Sequence, residues 1–378
     1  MNTMERIRWE LPRSNRHPAA AGGLMLELEV ADGQVCRADP IPGREHRGAE
    51  KLFESRDYRS LLALANRHDW LGSFTSELGL AQLLEAFLGI EVPERARWIR
   101  TLLAEYTRMA HHLLWLSSTL AELTGPASPQ AMGPVRTGHL ARRLVLDGIE
   151  SYSGTRMHPM LVAIGGLRAD YPDGWLHEVQ RSLPPVLDAA AVLRETYLAE
   201  DLGLTGLAPL SRSAAWDYST SGPVARASGV GFDLRLDRPD ECYQALIDAG
   251  SLRRVESTAG DAQTRLLVLT EQLAVSADCV RQCTEVLAEF DDGEPVNVDL
   301  PRSIRLPEGH GYAETENPGG INGWYLVSRG GTHPYRVKLR TGSYNNAAAM
   351  AAALPGTTLE QLPAAVFSFL LLAGDVDK

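Results

Sequence analysis

Cysteine is scarce: only Cys36, Cys242, Cys279 and Cys283 occur in 378 residues. Four are too few and too scattered for a disulfide framework in a chain of this size. Cys279 and Cys283 stand at helical spacing and could share a face, but two thiolates complete no metal site, and they read as ordinary thiols. Long apolar runs are missing too. The longest, Leu362 to Ala373, is interrupted by Pro363 and falls short of the roughly 20 residues a spanning helix needs. The N-terminus does not read as a secretory signal, because Arg6, Arg8, Glu10 and Arg13 interrupt it, so a cytoplasmic location is expected. Basic residues are outnumbered, 37 against 48 acidic, and the net charge of −11 repels phosphate backbones; nucleic acid is not an expected partner. The chain also lacks a GxGxxG after a strand, a GxxxxGK(S/T), an HExxH and a CxxC pair, so nucleotide, zinc and cluster signatures are absent.

What is present is a 44% hydrophobic composition, enough for a full core over two or three layers. Leu24 to Val30 alternates apolar and polar residues, and Asp32-Gly33 leads into Gln34 to Arg37, a hairpin signal. From Glu77 the period changes. Leu80, Leu83, Leu84, Phe87 and Leu88 predict a helix ended by Gly89, and beyond Pro93 the residues Trp98, Leu102, Met109, His112, Leu116 and Leu120 predict one near 30 residues. Further helices are expected over Leu140 to Tyr152, Trp175 to Leu198 with an interruption at Pro184-Pro185, and Ala262 to Phe290. Ser211 to Arg254 reads as ordered loop with short elements, and Trp324 to Val327 with Tyr335 to Leu339 as a second hairpin around Arg329-Gly330-Gly331. The expected division is a β region over 1–60, a helix bundle over 61–300 with a loop insert near 211–254, and a β hairpin with closing segment over 301–378.

His111-His112 has the look of a ligand pair, but adjacent helix positions diverge by about 100°, which argues against a shared face and for His112 as a hydrogen-bonded packing histidine. Arg47, Glu50, Lys51, Arg108, Glu122, Arg156 and His158 form an unusual density of charge near helix starts and loops, which by itself reads as solvated faces and caps.

Ordered motifs then resemble one family across almost the whole chain. His46-Arg47-Gly48-Ala49-Glu50-Lys51 looks like an HRGxEK element; Ile90 to Ala96, Thr107-Arg108 and His112-Leu113-Leu114 follow. Next come Ser153 to Pro159 with Gly165-Gly166, Ser221 to Gly229 with Asp233-Leu234-Arg235, Pro334 to Lys338, and Gly374 to Lys378. This is the order of the D subunit of bacterial NADH–quinone oxidoreductase, or complex I, itself related to the large subunit of nickel-iron hydrogenases; a divergent second copy is one form it could take. The resemblance implies a mainly α, α+β fold, a helix bundle with N- and C-terminal β hairpin regions. The two CxxC motifs that hold the hydrogenase metal are missing. It implies a core subunit on the cytoplasmic side of the cell membrane, peripheral to it, in a proton-translocating oxidoreductase. Its partners would be the iron–sulfur B subunit, the C subunit and membrane-arm subunits, with quinone at the interface and iron–sulfur clusters, FMN and NADH on other subunits. The chain itself would hold no cofactor and show no activity alone.

Quinone reduction takes two electrons and two protons, so a pocket needs donors to the carbonyl oxygens. The family uses a loop His, a Tyr, and an Asp behind the His. His17-Pro18-Ala19-Ala20-Ala21-Gly22 resembles its HPxxHG, putting Ala21 at the His, and Arg67-His68-Asp69-Trp70-Leu71 resembles RxDYL, putting Trp70 at the Tyr. Glu122 matches the Asp. The indole donates a hydrogen bond but does not readily release a proton. His158 and Arg47 match positions beside the terminal cluster, and Arg156 flanks His158; Ala163 and Gly319 replace expected arginines. Two other readings are a redox-silent scaffold paralogue in an incomplete complex, and a subunit of a related membrane oxidoreductase with another electron donor.

Overall fold

The computed structural model describes residues 4–11, 16–125, 129–199, 202–291 and 293–377; Arg13 and Lys378 lie outside them. The chain opens with strands β1 (Glu5–Glu10), β2 (Met25–Ala31) and β3 (Gln34–Pro40) in an antiparallel sheet of that order. The Asp32-Gly33 turn joins β2 to β3 as the sequence predicts, with both residues at positive φ. β1 is added by pairing with β2, Glu5 opposite Val30 through Glu10 opposite Met25.

Helices α1 (Ala49–Glu54) and α2 (Tyr58–His68) follow, the second capped by Asp57, whose carboxylate accepts from the amides of Arg59 and Ser60. Helix α3 (Ser73–Leu88) ends at Gly89 in the left-handed conformation, as expected, and starts a turn before the apolar period becomes visible. Helix α4 (Glu94–Thr124) has 31 residues and is buried on nearly every side from Arg95 to Leu120. It is the axis of a bundle with α5 (Pro129–Ser153), α6 (Trp175–Ala199) and α11 (Ala262–Leu287). Two short strands, β4 (Val162–Ala163) and β5 (Gly166–Leu167), sit between α5 and α6.

Pro184 and Pro185 do not break α6, contrary to the expectation. They remove donors to the carbonyls of Gln180 and Arg181, but Pro184 is exposed and Pro185 half-buried, between the buried Leu183 and Val186, and the helix carries on through both. Between α6 and α11 four helices of four to six residues, α7 (Arg212–Asp217), α8 (Gly222–Ala227), α9 (Leu234–Asp237) and α10 (Tyr243–Asp248), make up the irregular stretch.

The C-terminal sheet is larger than the periodicity predicts. β6 (Glu308–Asn317) and β7 (Gly320–Arg329) form a ten-residue hairpin, with β8 (Arg336–Arg340) on the other edge of β7. Helices α12 (Gly342–Ala353), α13 (Leu362–Ser368) and α14 (Ala373–Val376) close the chain, and α12 packs on β3 of the first sheet. No helix among the described residues is long and apolar enough to cross a membrane.

Buried charges fasten the layers. Arg100 on α4 is wholly buried; it takes Glu85 of α3 at 2.6 Å and Glu241 at 3.2 Å, and donates to the carbonyls of Ala163 and Gly166. Further along α4, Glu105 accepts from Arg235, Tyr243 and Ser276, with Arg108 beside it. Burial would raise its carboxyl, but Arg108 and Arg235 hold it down at about 2.

Candidate functional site

His17 and Pro18 open a 3-10 turn, Pro18–Ala20, that leads the chain to Ala21. His17 is buried, stacked on Phe367 at 4.1 Å, with Nδ1 accepting from the Ala19 amide; the other nitrogen, Nε2, therefore carries the proton toward Thr119 Oγ1 at 2.9 Å. Burial lowers its pKa to about 3, so it is neutral. This anchor leaves Ala21 exposed on the wall of a cavity of about 400 Å³. Gly22 follows at φ 91°, where a Cβ would lie 2.8 Å from that of Ala373, so the loop runs against the C-terminal segment only because the side chain is missing.

The cavity is walled by this loop, by Glu45, Arg47 and Ala49 leading into α1, by the face of α2 carrying Leu64, Arg67 and His68, by Trp70, and by Gly374 and Asp377. Asp377 fixes that arrangement, since its carboxylate accepts from the amides of Gly43 at 2.6 Å and Glu45 at 2.8 Å. Behind α1, Glu50 binds Arg336 at 2.6 Å, Lys338 at 2.9 Å and the Leu339 amide, which joins the HRGxEK-like run to the Pro334–Lys338 block. Burial works against the charge of Glu50, yet the Leu339 amide and the two cations hold its carboxyl below the usual range.

Three of the residues singled out from the sequence, Ala21, Arg47 and Trp70, therefore share one cavity. Glu122 is not among its lining residues; it stands half-buried in the last turn of α4, three positions after the Thr119 that His17 meets. Arg156 is exposed and paired with Asp147 at 2.8 Å and Glu150 at 2.6 Å. His158 is half-buried with Nδ1 at 2.8 Å from Asn66 Oδ1 and 3.1 Å from Asn66 O. Both partners are acceptors, so Nδ1 carries the proton; burial first and then Arg67 lower the pKa of the ring.

Asn66 extends that contact inward, donating to Glu77 Oε2 at 3.1 Å. Glu77 is fully buried and its Oε1 has no hydrogen-bond partner. Burial pushes its carboxyl up to about 8, against the opposing pull of Arg168 and Asn66, so it holds a proton at neutral pH. Residues 66–70 thus connect His158, Glu77 and the cavity in one short segment. Sequence reasoning does not single out Asn66, Arg67 and His68, although they flank Trp70 in and beside the RxDYL-like motif; Glu77 is hidden in the apolar pattern of α3.

His111 and His112 meet through their rings, with their Nδ1 atoms 3.0 Å apart. The Cβ directions do diverge, but two imidazoles reach across that angle and share a proton. Gln272, oriented so that its oxygen accepts from Arg226, donates to His112 Nε2, so His112 donates through Nδ1 and His111 accepts. The packing role expected of His112 is the one it has. Cys242, Cys279 and Cys283 are buried thiols, Cys242 pushed up to about 12 by burial. Among the described residues no group of three or more His, Cys, Asp or Glu side chains could hold a metal ion.

Comparison with known proteins gives a consistent result. Residues 130–378 match the family of the respiratory-chain NADH dehydrogenase 49 kDa subunit. The chain is 44% identical over 366 residues to the D 1 subunit of NADH-quinone oxidoreductase from Streptomyces coelicolor, covering 96% of this chain and 93% of that protein. Identity is 44% over 370 residues to the D 2 subunit from Salinispora tropica, covering 96% and 91%, and 33% over 365 residues to the D subunit from Carboxydothermus hydrogenoformans, covering 96% of each. Its fold superposes with a TM-score of 0.88, at 26% identity and over 99% of this chain and 98% of the other, on a chain of the membrane-bound sulfane sulfur reductase, an archaeal respiratory membrane complex. The chain belongs to the 49 kDa, or D-subunit, family of NADH-quinone oxidoreductases.

Proposed function

We propose that the 400 Å³ cavity is one wall of the quinone-reduction site of a membrane-docked NADH–quinone oxidoreductase, completed by an iron–sulfur B subunit. The observation that carries the reading is the convergence of Ala21, Arg47 and Trp70, three motif positions apart in sequence, on one cavity. Its volume falls within the roughly 300–1,000 Å³ usual for small-molecule sites. Leu52, Phe53, Leu64 and Trp70 give the apolar surface a quinone ring packs on, and Arg47 and Arg67 offer charge to a developing oxyanion. The B subunit would hold the terminal cluster near His158 and Arg47, while FMN and the NADH site belong to other subunits. The C subunit and the membrane arm would hold the chain at the cytoplasmic face, and proton translocation would take place in that arm. Glu122, three positions beyond the Thr119 that His17 meets, stands at the position of the family's Asp behind the loop that carries Ala21. Isolated, the chain should oxidise no NADH.

A second reading keeps the fold without the chemistry, because Ala21 offers no donor and the Trp70 indole releases no proton. One variant tests the first. Leu64→Trp adds bulk to the α2 wall of the cavity, so quinone reduction by the membrane-embedded complex should fall at least about tenfold while NADH oxidation with ferricyanide is retained. A photoreactive quinone should label α1 or α2 in the wild type and not in L64W. Unchanged quinone turnover with no label on this chain would favour the scaffold.

A further inference from the structure

Glu241 has a buried side chain with one carboxylate oxygen unaccounted for, in a part of the molecule that the quinone reading does not use. It belongs to a cleft of about 700 Å³ near the start of α4, roughly 30 Å along that helix from the His17 anchor at 1.5 Å per residue. Five carboxylates line it: Glu85 of α3, Glu91 before α4, Asp240 and Glu241 before α10, and Glu314 of β6. Arg97 is the one cation among the described lining residues. We propose that this cleft docks an extended basic segment of a neighbouring subunit, which adds its backbone to the unpaired edge of β6 and carries a Lys or Arg side chain to Glu241.

The floor of the cleft holds its charge in place. Oε1 of Glu241 is fixed from two sides, accepting from Gln82 Nε2 at 3.0 Å and Arg100 Nη1 at 3.2 Å. Oε2 has no hydrogen-bond partner, although the side chain is only 5% exposed. Arg97 Nε stands 4.0 Å from it, beyond hydrogen-bond reach, and that guanidinium donates instead to the Glu241 carbonyl oxygen. A carboxylate oxygen orphaned at such burial costs free energy until a donor reaches it.

The cations around the cleft leave the same deficit. Arg100 is shared between Glu85 and Glu241, and Arg238 stands 3.5 Å from Glu314, so with Arg97 three arginines face five acids. Burial pushes the carboxyls of Asp240 and Glu241 up, with Gln82 pulling the first down and Arg100 the second. Such groups take up either a proton or a cation. The two lie close together, because Gln82 Nε2 donates to Asp240 at 2.7 Å as well as to Glu241, and an ammonium or guanidinium group has donors enough for both. Among the described residues these acids are not grouped as metal ligands, which leaves an organic cation as the occupant.

The backbone supplies the second half of the site. β6 is the edge strand of its sheet, and among the described residues its main chain pairs with no strand but β7. Successive residues of a strand point to opposite faces, yet Ala313 and Glu314 both line the cleft, so the cleft opens at the edge of the strand. An unpaired edge accepts a further strand through main-chain hydrogen bonds, and the flanking side chains select its sequence. Here the acids select a basic one. Ala86, Ile90 and Val92 offer apolar surface to the aliphatic stem of a lysine or arginine. The net charge of −11 disfavours a second copy of this chain as the occupant.

The test uses the assembled, membrane-embedded complex with p-benzoylphenylalanine placed at Ala86, an exposed position on the wall of the cleft. Irradiation should join it to one short segment of another subunit, and peptide mapping should find Lys or Arg within that segment. With yields normalised to the amount of this chain in the complex, the adduct should fall at least about fivefold in Glu241→Gln. In Glu91→Lys, which reverses a charge on the exposed rim, it should fall at least about threefold. An adduct to a segment without Lys or Arg, to a second copy of this chain, or to no polypeptide at all would overturn the proposal. So would an unchanged yield in E241Q, or in E91K should E241Q fail to assemble. The quinone reading is not at stake, since L64W should leave the adduct unchanged.

Discussion

Glu77→Gln should remove a pH-dependent burden on stability. The folded carboxyl keeps its proton up to about pH 8, whereas in the unfolded chain it releases it near its ordinary value of 4.5. Between those limits the unfolded state binds fewer protons than the folded one, so stability falls as pH rises through the window and levels off above it. The interval from 4.5 to 7 costs on the order of 3 kcal/mol at neutral pH. Glutamine has nearly the shape of the protonated acid and keeps a carbonyl for the Asn66 amide, so it should match wild type near pH 5. Urea midpoints read by protease pulses at pH 5, 6, 7 and 8 give the comparison. The advantage of E77Q should grow by roughly 1.4 kcal/mol per pH unit and flatten near pH 8. A difference independent of pH would refute the reasoning, because it would mean that Glu77 is ionised in the folded protein.

Arg100→Met should cost about 3–5 kcal/mol, read as a lowered urea midpoint, since it strands Glu85 and Glu241 without their buried cation. Gly166→Ala should destabilise the β5 region by at least about 2 kcal/mol, because the residue sits at φ 149° and a Cβ would lie 2.1 Å from the Val296 carbonyl oxygen. Hydrogen exchange at the Leu167 and Val298 amides, which bond Val296 and Gly165, would report that loss locally.

The parts of the fold that can be read from sequence are those whose signal is local. The Asp32-Gly33 turn and the Gly89 terminus of α3 are set by backbone preference within a few residues. Strand β6 escapes because Glu308 to Asn317 is largely polar, and only pairing with β7 gives it a partner. The all-round burial of α4 is equally hidden. Arg100, Glu105 and Arg108 look like a solvated face until Glu85, Arg235, Glu241 and Tyr243 arrive from other elements to neutralise them. At the site, motif positions locate Ala21, Arg47 and Trp70, but a motif compares one position with one residue type. His68 occupies its variable position, and the carboxylate nearest its ring, Asp375, comes from the far end of the chain.

That cavity belongs to no single segment, and this bears on how it holds its shape. Its wall comes in part from irregular stretches before α1 and after α13, and such stretches stay in place only if something rigid holds them. Here the anchors are His17 against Thr119 and Trp115 of α4, and Asp377 clasping the Gly43 and Glu45 amides. α4 cannot shift easily, because its charged side chains are bound to several surrounding elements. The N-terminal loop is thus referred to the bundle axis and the loop before α1 to the C-terminal segment, and these two references meet at Gly22 and Ala373, where no Cβ fits between them. Substitutions at Ala21 or Trp70 can then change what the wall donates without moving the wall.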